Sequence, residues 1–147
     1  MRYTDHVLAE LIDRLKRLDV EATLLYVSDH GENLFDGDCQ KSGHWHNTER
    51  DHRTASLFWH SDAYADSHAQ KVSMLRVHRD APLATTQVFA SLLDAADITF
   101  PGEDLTRSFV SPRWRPQPRI VQSGLDFDRS ARGPLCQELT RAPASAS

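Results

Sequence analysis

A chain of 147 residues, 39% of them hydrophobic, with a mean hydropathy of −0.53, has the size of one modest domain and is short for a complete doubly wound enzyme. Seventeen Lys and Arg oppose twenty-one Asp and Glu for a net charge of −4, and no basic stripe is present, so nucleic acid is not an expected partner. No stretch approaches the roughly 18 consecutive apolar residues of a membrane span, and Met1 is not followed by a signal-peptide pattern, so the chain is expected to carry no signal or membrane segment of its own.

The first element is a helix that Thr4 or Asp5 can cap. Its apolar positions Val7, Leu8, Leu11, Ile12, Leu15 and Leu18 follow helical spacing, with charged residues on the opposite face, which describes a surface helix packed on a sheet. Asp19 and Glu21 then make a short polar connection into Ala22 to Val27. That run is continuously apolar and β-favouring, without the alternation of a half-exposed strand, and predicts a central strand covered on both faces. Helix followed by buried strand is half of an α/β unit.

At Ser28 the chemistry changes. Ser28, Asp29, His30, Gly31 and Glu32 put acidic and imidazole groups where the strand ends, and open α/β sheets place their ligands outside the carboxyl ends of strands. Asp29 and His30 are adjacent oxygen and nitrogen donors suited to a borderline-soft cation such as Zn²⁺. Neighbours in a regular strand point to opposite faces, so both reach one ion only if the chain turns, and Gly31 permits the turn. The competing reading is a polar loop with a helix cap.

Asn33 to Arg53 reads as a long loop, with turn signals at Asp36-Gly37-Asp38 and Ser42-Gly43 and no apolar periodicity. It is also where histidines gather. Of the eight in the chain, His30, His44, His46, His52 and His60 fall in one short region, and at least one beyond His30 is expected to serve a site. Ala55 to Trp59 predicts a second strand, after which Ser61 or Asp62 caps the next segment. A site role for His60 is the weaker reading. Ser67 to Arg79 reads as a second helix or irregular crossover with Val72, Leu75 and Met74 on its apolar side. A clearer helix starts at Thr85 or Thr86, its stripe formed by Val88, Phe89, Leu92, Leu93 and Ala96, and Pro101-Gly102 stops it. Leu105 to Pro118 alternates Arg, Pro and aromatic residues, and Ile120-Val121 suggests an edge strand. From Arg129 the composition predicts a disordered tail, which divides the chain into a domain over 1–128 and a tail over 129–147. Cys39 and Cys136 are either one disulfide or two unrelated thiols, the second being the default.

Tyr26-Val27-Ser28-Asp29-His30-Gly31-Glu32, preceded by the helix beginning Arg2-Tyr3-Thr4-Asp5 and followed by Gly43-His44 and Leu57-Phe58-Trp59-His60-Ser61-Asp62-Ala63-Tyr64, resembles the C-terminal part of the sulfatase-like phosphoethanolamine transferases of the alkaline phosphatase superfamily. The resemblance covers roughly Arg2 to Ile120. It implies an α/β fold, a partial alkaline phosphatase or sulfatase-like sandwich with a central β-sheet flanked by helices.

It further implies zinc, one or two ions, with another divalent cation as the alternative. Asp29 and His30 would be metal ligands, and His44 would steady the transferred phosphate or bind a second metal. His46 is the fallback, because Arg53-Thr54-Ala55-Ser56 departs from the family's proline-containing approach to the next strand and leaves the loop register open.

The implied activity is transfer of phosphoethanolamine from a phospholipid donor to lipid A or another envelope acceptor through a phosphothreonine, at the periplasmic face of the bacterial inner membrane. No residue here matches the family's threonine nucleophile or its upstream acidic ligand. The chain is therefore expected to be a fragment, inactive alone, whose N-terminal catalytic and membrane part lies elsewhere. The alternatives are a sulfatase or phosphodiester hydrolase of the same superfamily, and a zinc-binding remnant or partner subunit without catalysis.

Overall fold

The structure is a computed structural model that describes residues 2–35, 37 and 39–142. Helices and strands are mixed along the chain, and the described residues form two compact units. One takes the residues up to Tyr26 with Leu57–Pro116, and the other takes Val27–Ser56 with the residues from Gln117 onward.

The first unit opens with helix α1, Arg2–Leu18. It begins before the predicted caps, so Thr4 and Asp5 lie inside its first turn, where an acidic side chain is favoured by the helix dipole. Leu8, Ile12 and Leu15 form the half-buried stripe, whereas Val7, Leu11 and Leu18 on the flank stay exposed. Strand β1, Thr23–Val27, matches the predicted apolar run. Every one of its residues is only half-buried, however, which corrects the expectation of a strand covered on both faces. The reason is its pairing: among the described residues β1 has one partner, β4, Ser56–His60. Ser61 N donates to Ala22 O and Ser28 N to Ala55 O, both at 2.9 Å, so one strand rises in number as the other falls.

Ser61 caps α3, Asp62–Ser67, by accepting from Tyr64 N, as the sequence suggested. Helix α4, Ala69–Val77, follows with Val72 buried. A 3₁₀ turn at Thr85–Gln87 leads into α5, Val88–Ala95. Here the predicted stripe is only partly the buried face. Phe89 and Leu92 are exposed, while Gln87, Ser91 and Ala95, spaced four apart, point inward. Ser91 explains the choice: its hydroxyl donates to Gln87 O at 2.8 Å and accepts from Phe109 N at 2.9 Å, uses that an apolar side chain cannot replace. Ala95, Phe109 and Val110 form the centre of the core, with Leu25, Phe58, Leu75, Leu83 and Trp114 packed around them. Tyr64 is buried beside α5 and donates to Ala95 O at 2.7 Å; burial pushes its phenol up to about 12.

The second unit replaces the predicted loop with short regular pieces. Strands β2, Asn33–Leu34, and β3, Ser42–Gly43, pair antiparallel with Asn33 opposite Gly43. Helix α2, Glu49–His52, is a single turn closed by a capping box between Thr48 and Asp51. The predicted Ile120–Val121 edge strand is reduced to one bridge between Ile120 and Asp126.

The segment expected to be a disordered tail carries, in its described part, β5, Ala131–Arg132, paired antiparallel with β6, Leu139–Thr140. Two features order it that composition does not reveal. Cys136 is disulfide-bonded to Cys39 across 97 residues, and Leu139 is buried. Residues 143–147 of that tail lie outside the described residues. The guanidinium groups of Arg119 and Arg132 both lie over the Phe127 ring, at 4.6 and 4.7 Å from its centre. Arg132 also binds Glu49 at 2.8 Å, and with Arg53 it holds the Glu49 carboxyl below the usual carboxylate range.

Candidate metal centre

The second unit begins at Val27, the last residue of β1, and the residues that follow do not continue as a strand. Gly31 makes the turn and has no alternative there. A Cβ at that position would lie 1.9 Å from Arg50 O and 2.4 Å from Arg53 O, both backbone atoms. Its amide donates to Asp51 O at 2.9 Å, which fixes the approach. On either side of this contact stand His30 and Glu32.

The other wall comes from the β2–β3 hairpin. Gly43, Trp45 and Asn47 all have left-handed backbones, with φ of 82°, 74° and 53°. This alternation turns the chain sharply after β3, and His44 lies between Gly43 and Trp45. Its ring lies 4.0 Å from that of His30, centre to centre, and its Nδ1 is 3.6 Å from Oε1 of Glu32.

His30, Glu32 and His44 each offer a ligand atom within 4.8 Å of the others. The protonation pattern suits a cation. His30 Nδ1 is 2.8 Å from Gly31 O, so its proton is held by that carbonyl and Nε2 keeps its lone pair. The same carbonyl, with the carboxylates of Asp29, Glu32 and Asp51, raises the pKa of His30 against the opposing effect of desolvation. His44 Nδ1 is buried and has no hydrogen-bond partner, and in the tautomer that leaves its lone pair free a metal ion would satisfy it. Two imidazoles and a carboxylate are a zinc donor set.

The predicted site residues divide as follows. His30 and His44 come together. Asp29 stands beside them: its side chain is 88% exposed, and Oδ2 lies 3.7 Å from His30 Nε2, a separation compatible with two ligands on one ion, although Asp29 is not part of the three-residue group. His46, the fallback, is turned away with Nε2 3.0 Å from Ser42 O. His52 faces Asn47 Oδ1 at 3.0 Å, and burial pushes its pKa down. His60 belongs to the other unit. Glu32 is the residue that sequence reasoning left unassigned. Its signal was limited to proximity: an acidic side chain two positions after His30, across the turn that Gly31 makes.

The mixed helix and strand fold has counterparts among known proteins. The Sulfatase family model matches residues 1–98, and the chain belongs to that family. Among curated proteins it is similar to phosphoethanolamine transferase EptC of Escherichia coli O18:K1:H7 (strain RS218 / NMEC), 31% identical over 135 residues, covering 86% of this chain and 23% of that protein. It is also similar to phosphoethanolamine transferase CptA of Salmonella typhimurium (strain LT2), 29% identical over 122 residues, 77% of this chain and 21% of that one. The chain thus spans less than a quarter of the length of these relatives.

The fold matches the crystal structure of the C-terminal periplasmic domain of EptC from Escherichia coli with a TM-score of 0.74 and 26% identity, over 86% of this chain and 37% of that one. It matches the zinc complex of the same domain with a TM-score of 0.72 and 26% identity, over 92% and 40% of the two chains. This is the partial sulfatase-like, alkaline phosphatase-type fold that the resemblance implied. Among the described residues no helix is long and apolar enough to cross a membrane.

Proposed function

We propose that this chain is the metal-holding share of a phosphoethanolamine transferase, which moves phosphoethanolamine from a phospholipid to lipid A or another envelope acceptor at the periplasmic face of the inner membrane. The observation that carries the reading is the convergence of His30, Glu32 and His44, with a buried His44 Nδ1 that no hydrogen bond satisfies. The relatives, all phosphoethanolamine transferases, and the zinc complex of the similar domain support it. The Cys39–Cys136 disulfide agrees with an oxidising compartment.

In this reading His30, Glu32 and His44 would hold zinc, with Asp29, beside His30, as a further candidate ligand. The ion would supply Lewis acidity to a phosphoryl oxygen. The chain's own residues do the rest. Gly31 O holds the His30 proton on Nδ1 and so fixes the ring's orientation. Were His44 not a ligand, its imidazole would instead steady phosphoryl oxygens as charge develops on them. The nucleophile belongs to the part of the relatives' length that this chain does not span, so transfer requires that part.

The test is made on the protein in its natural cell. Zinc content of the purified chain is measured together with the mass of lipid A and envelope glycans. One or two zinc ions per chain, and a phosphoethanolamine increment that disappears in His30→Ala, are expected. Envelope lipids unchanged by His30→Ala would overturn the transferase reading.

A further inference from the structure

The buried carboxylate of Asp51 lies outside the metal group, yet it binds the chain on both sides of it. Asp51 is 6% exposed. Its Oδ1 accepts from Asn33 Nδ2 at 2.6 Å, and its Oδ2 accepts from His46 N at 2.8 Å and Thr48 N at 3.1 Å. Asn33, 1% exposed, uses the same amide nitrogen to reach Gly43 O at 3.0 Å, and its Oδ1 accepts from Thr48 Oγ1 at 2.9 Å. The backbone of Asp51 takes the Gly31 amide.

In sequence terms, Gly31 and Asn33 flank Glu32, Gly31 follows His30, and Gly43 and His46 bracket His44. Each residue of the metal group is thus fixed by a neighbour that Asp51 or Asn33 holds. A carboxylate receiving three N–H donors is a far stiffer anchor than two polar loops alone, and ligand orientation depends on such outer partners.

We propose that Asp51, acting through Asn33, is the positioning residue that sets the spacing of His30 and Glu32 against His44. This rests on the zinc reading above. It adds that affinity for the ion is determined by a residue that never touches it. Linkage makes the effect reciprocal: if the network favours the bound arrangement, the ion must stabilise the network.

The experiment uses the full chain. Zinc affinity is measured by competition with a chromophoric chelator, below the melting temperature of every variant, for wild type, Asp51→Asn, Asn33→Ala and Arg119→Ala. The last perturbs Phe127 packing in the same unit without joining the network. Asp51→Asn and Asn33→Ala are expected to weaken zinc binding by about 10- to 100-fold and to alter the visible absorption of the cobalt-substituted chain. Arg119→Ala should lower only the melting temperature. Wild-type affinity and an unchanged cobalt spectrum in Asp51→Asn would overturn the proposal while leaving the zinc reading intact. Failure of the wild-type chain to take up zinc would overturn both. Should the variants not fold, amide exchange in the wild type decides: zinc must slow exchange at His46 and Thr48, the two amides on Asp51 Oδ2, and unchanged exchange there rejects the inference.

Discussion

Nδ1 of His44 stands 3.6 Å from Oε1 of Glu32, too far for a hydrogen bond and buried without any other partner. A buried imidazole nitrogen left open costs free energy unless something fills the gap. Under the zinc reading proposed above, the open nitrogen and the carboxylate would share one ion.

The first prediction concerns that ion. His30→Ala removes the residue shared by the Asp29 pair and the Glu32–His44 group, and should weaken zinc by at least about 100-fold, roughly 2.8 kcal/mol. Asp29→Ala, Glu32→Gln and His44→Ala should each weaken it by a smaller factor. The helical circular dichroism should persist in all four, because α1, α4 and α5 belong to the other unit. Isothermal titration with zinc measures this, and wild-type affinity in His30→Ala would remove the metal assignment.

Gly31→Ala provides a structural test of the same site. The added methyl meets two backbone carbonyl oxygens at 1.9 and 2.4 Å, neither of which can rotate away. Overpacking of this kind costs about 1–3 kcal/mol, and here it also pushes the strand-end arm off α2. Denaturant melts should show a lower midpoint, and zinc uptake should fall with it. A fully stable, zinc-competent Gly31→Ala chain would mean that the turn is not packed as described.

How much of this was legible beforehand varies with the range of the forces involved. The strand at Thr23–Val27 and the donors after it could be read because an apolar run and an abrupt polar switch are local signals. The Gly43-His44 pairing was legible only through resemblance. The β2–β3 hairpin was not, since its strands are two residues long, too short for a period, and are held by Asn33 and Asp51, residues 18 apart whose bond leaves no periodic trace. The same applies to Cys39 and Cys136, separated by 97 residues, and to the ordering of 131–140 that follows from them. On α5 the spacing of apolar residues was read correctly but the buried face was not, because Ser91 earns its place by two hydrogen bonds and not by hydrophobicity.

The third prediction is acid sensitivity centred on Glu49. Its carboxyl lies below its ordinary 4.5 because Arg132, and then Arg53, donate to it. A depressed folded-state pKa adds stability that is present above the unfolded value and is lost as pH falls through the folded one. The stability of the wild-type chain should therefore decline below about pH 4.5. Glu49→Gln should be less stable at neutral pH by about 1 kcal/mol, after allowing for partial solvation, and should show a flatter acid limb. Parallel curves of unfolding free energy against pH for the two proteins would exclude this role.

The disulfide gives the last. Cys39 and Cys136 close a loop spanning a separation of 97 residues, and closure on that scale restricts the unfolded chain by up to about 4.7 kcal/mol in the entropy model, with measured losses of about 2–5 kcal/mol. Cys39 lies between β2 and β3, the hairpin that carries His44, and Cys136 lies between β5 and β6. The bond therefore ties the hairpin that leads to His44 to the C-terminal strand pair. Reduction should act twice. It should lower the denaturant midpoint, and it should weaken zinc binding, because the hairpin loses its covalent anchor while Asp51 still holds it from the other side. Cys39→Ser with Cys136→Ser should reproduce both effects and be insensitive to reductant. If reduction lowers stability but leaves zinc affinity at the wild-type value, the hairpin is positioned by the Asn33–Asp51 hydrogen bonds alone, and the disulfide serves only to hold the C-terminal strands in place.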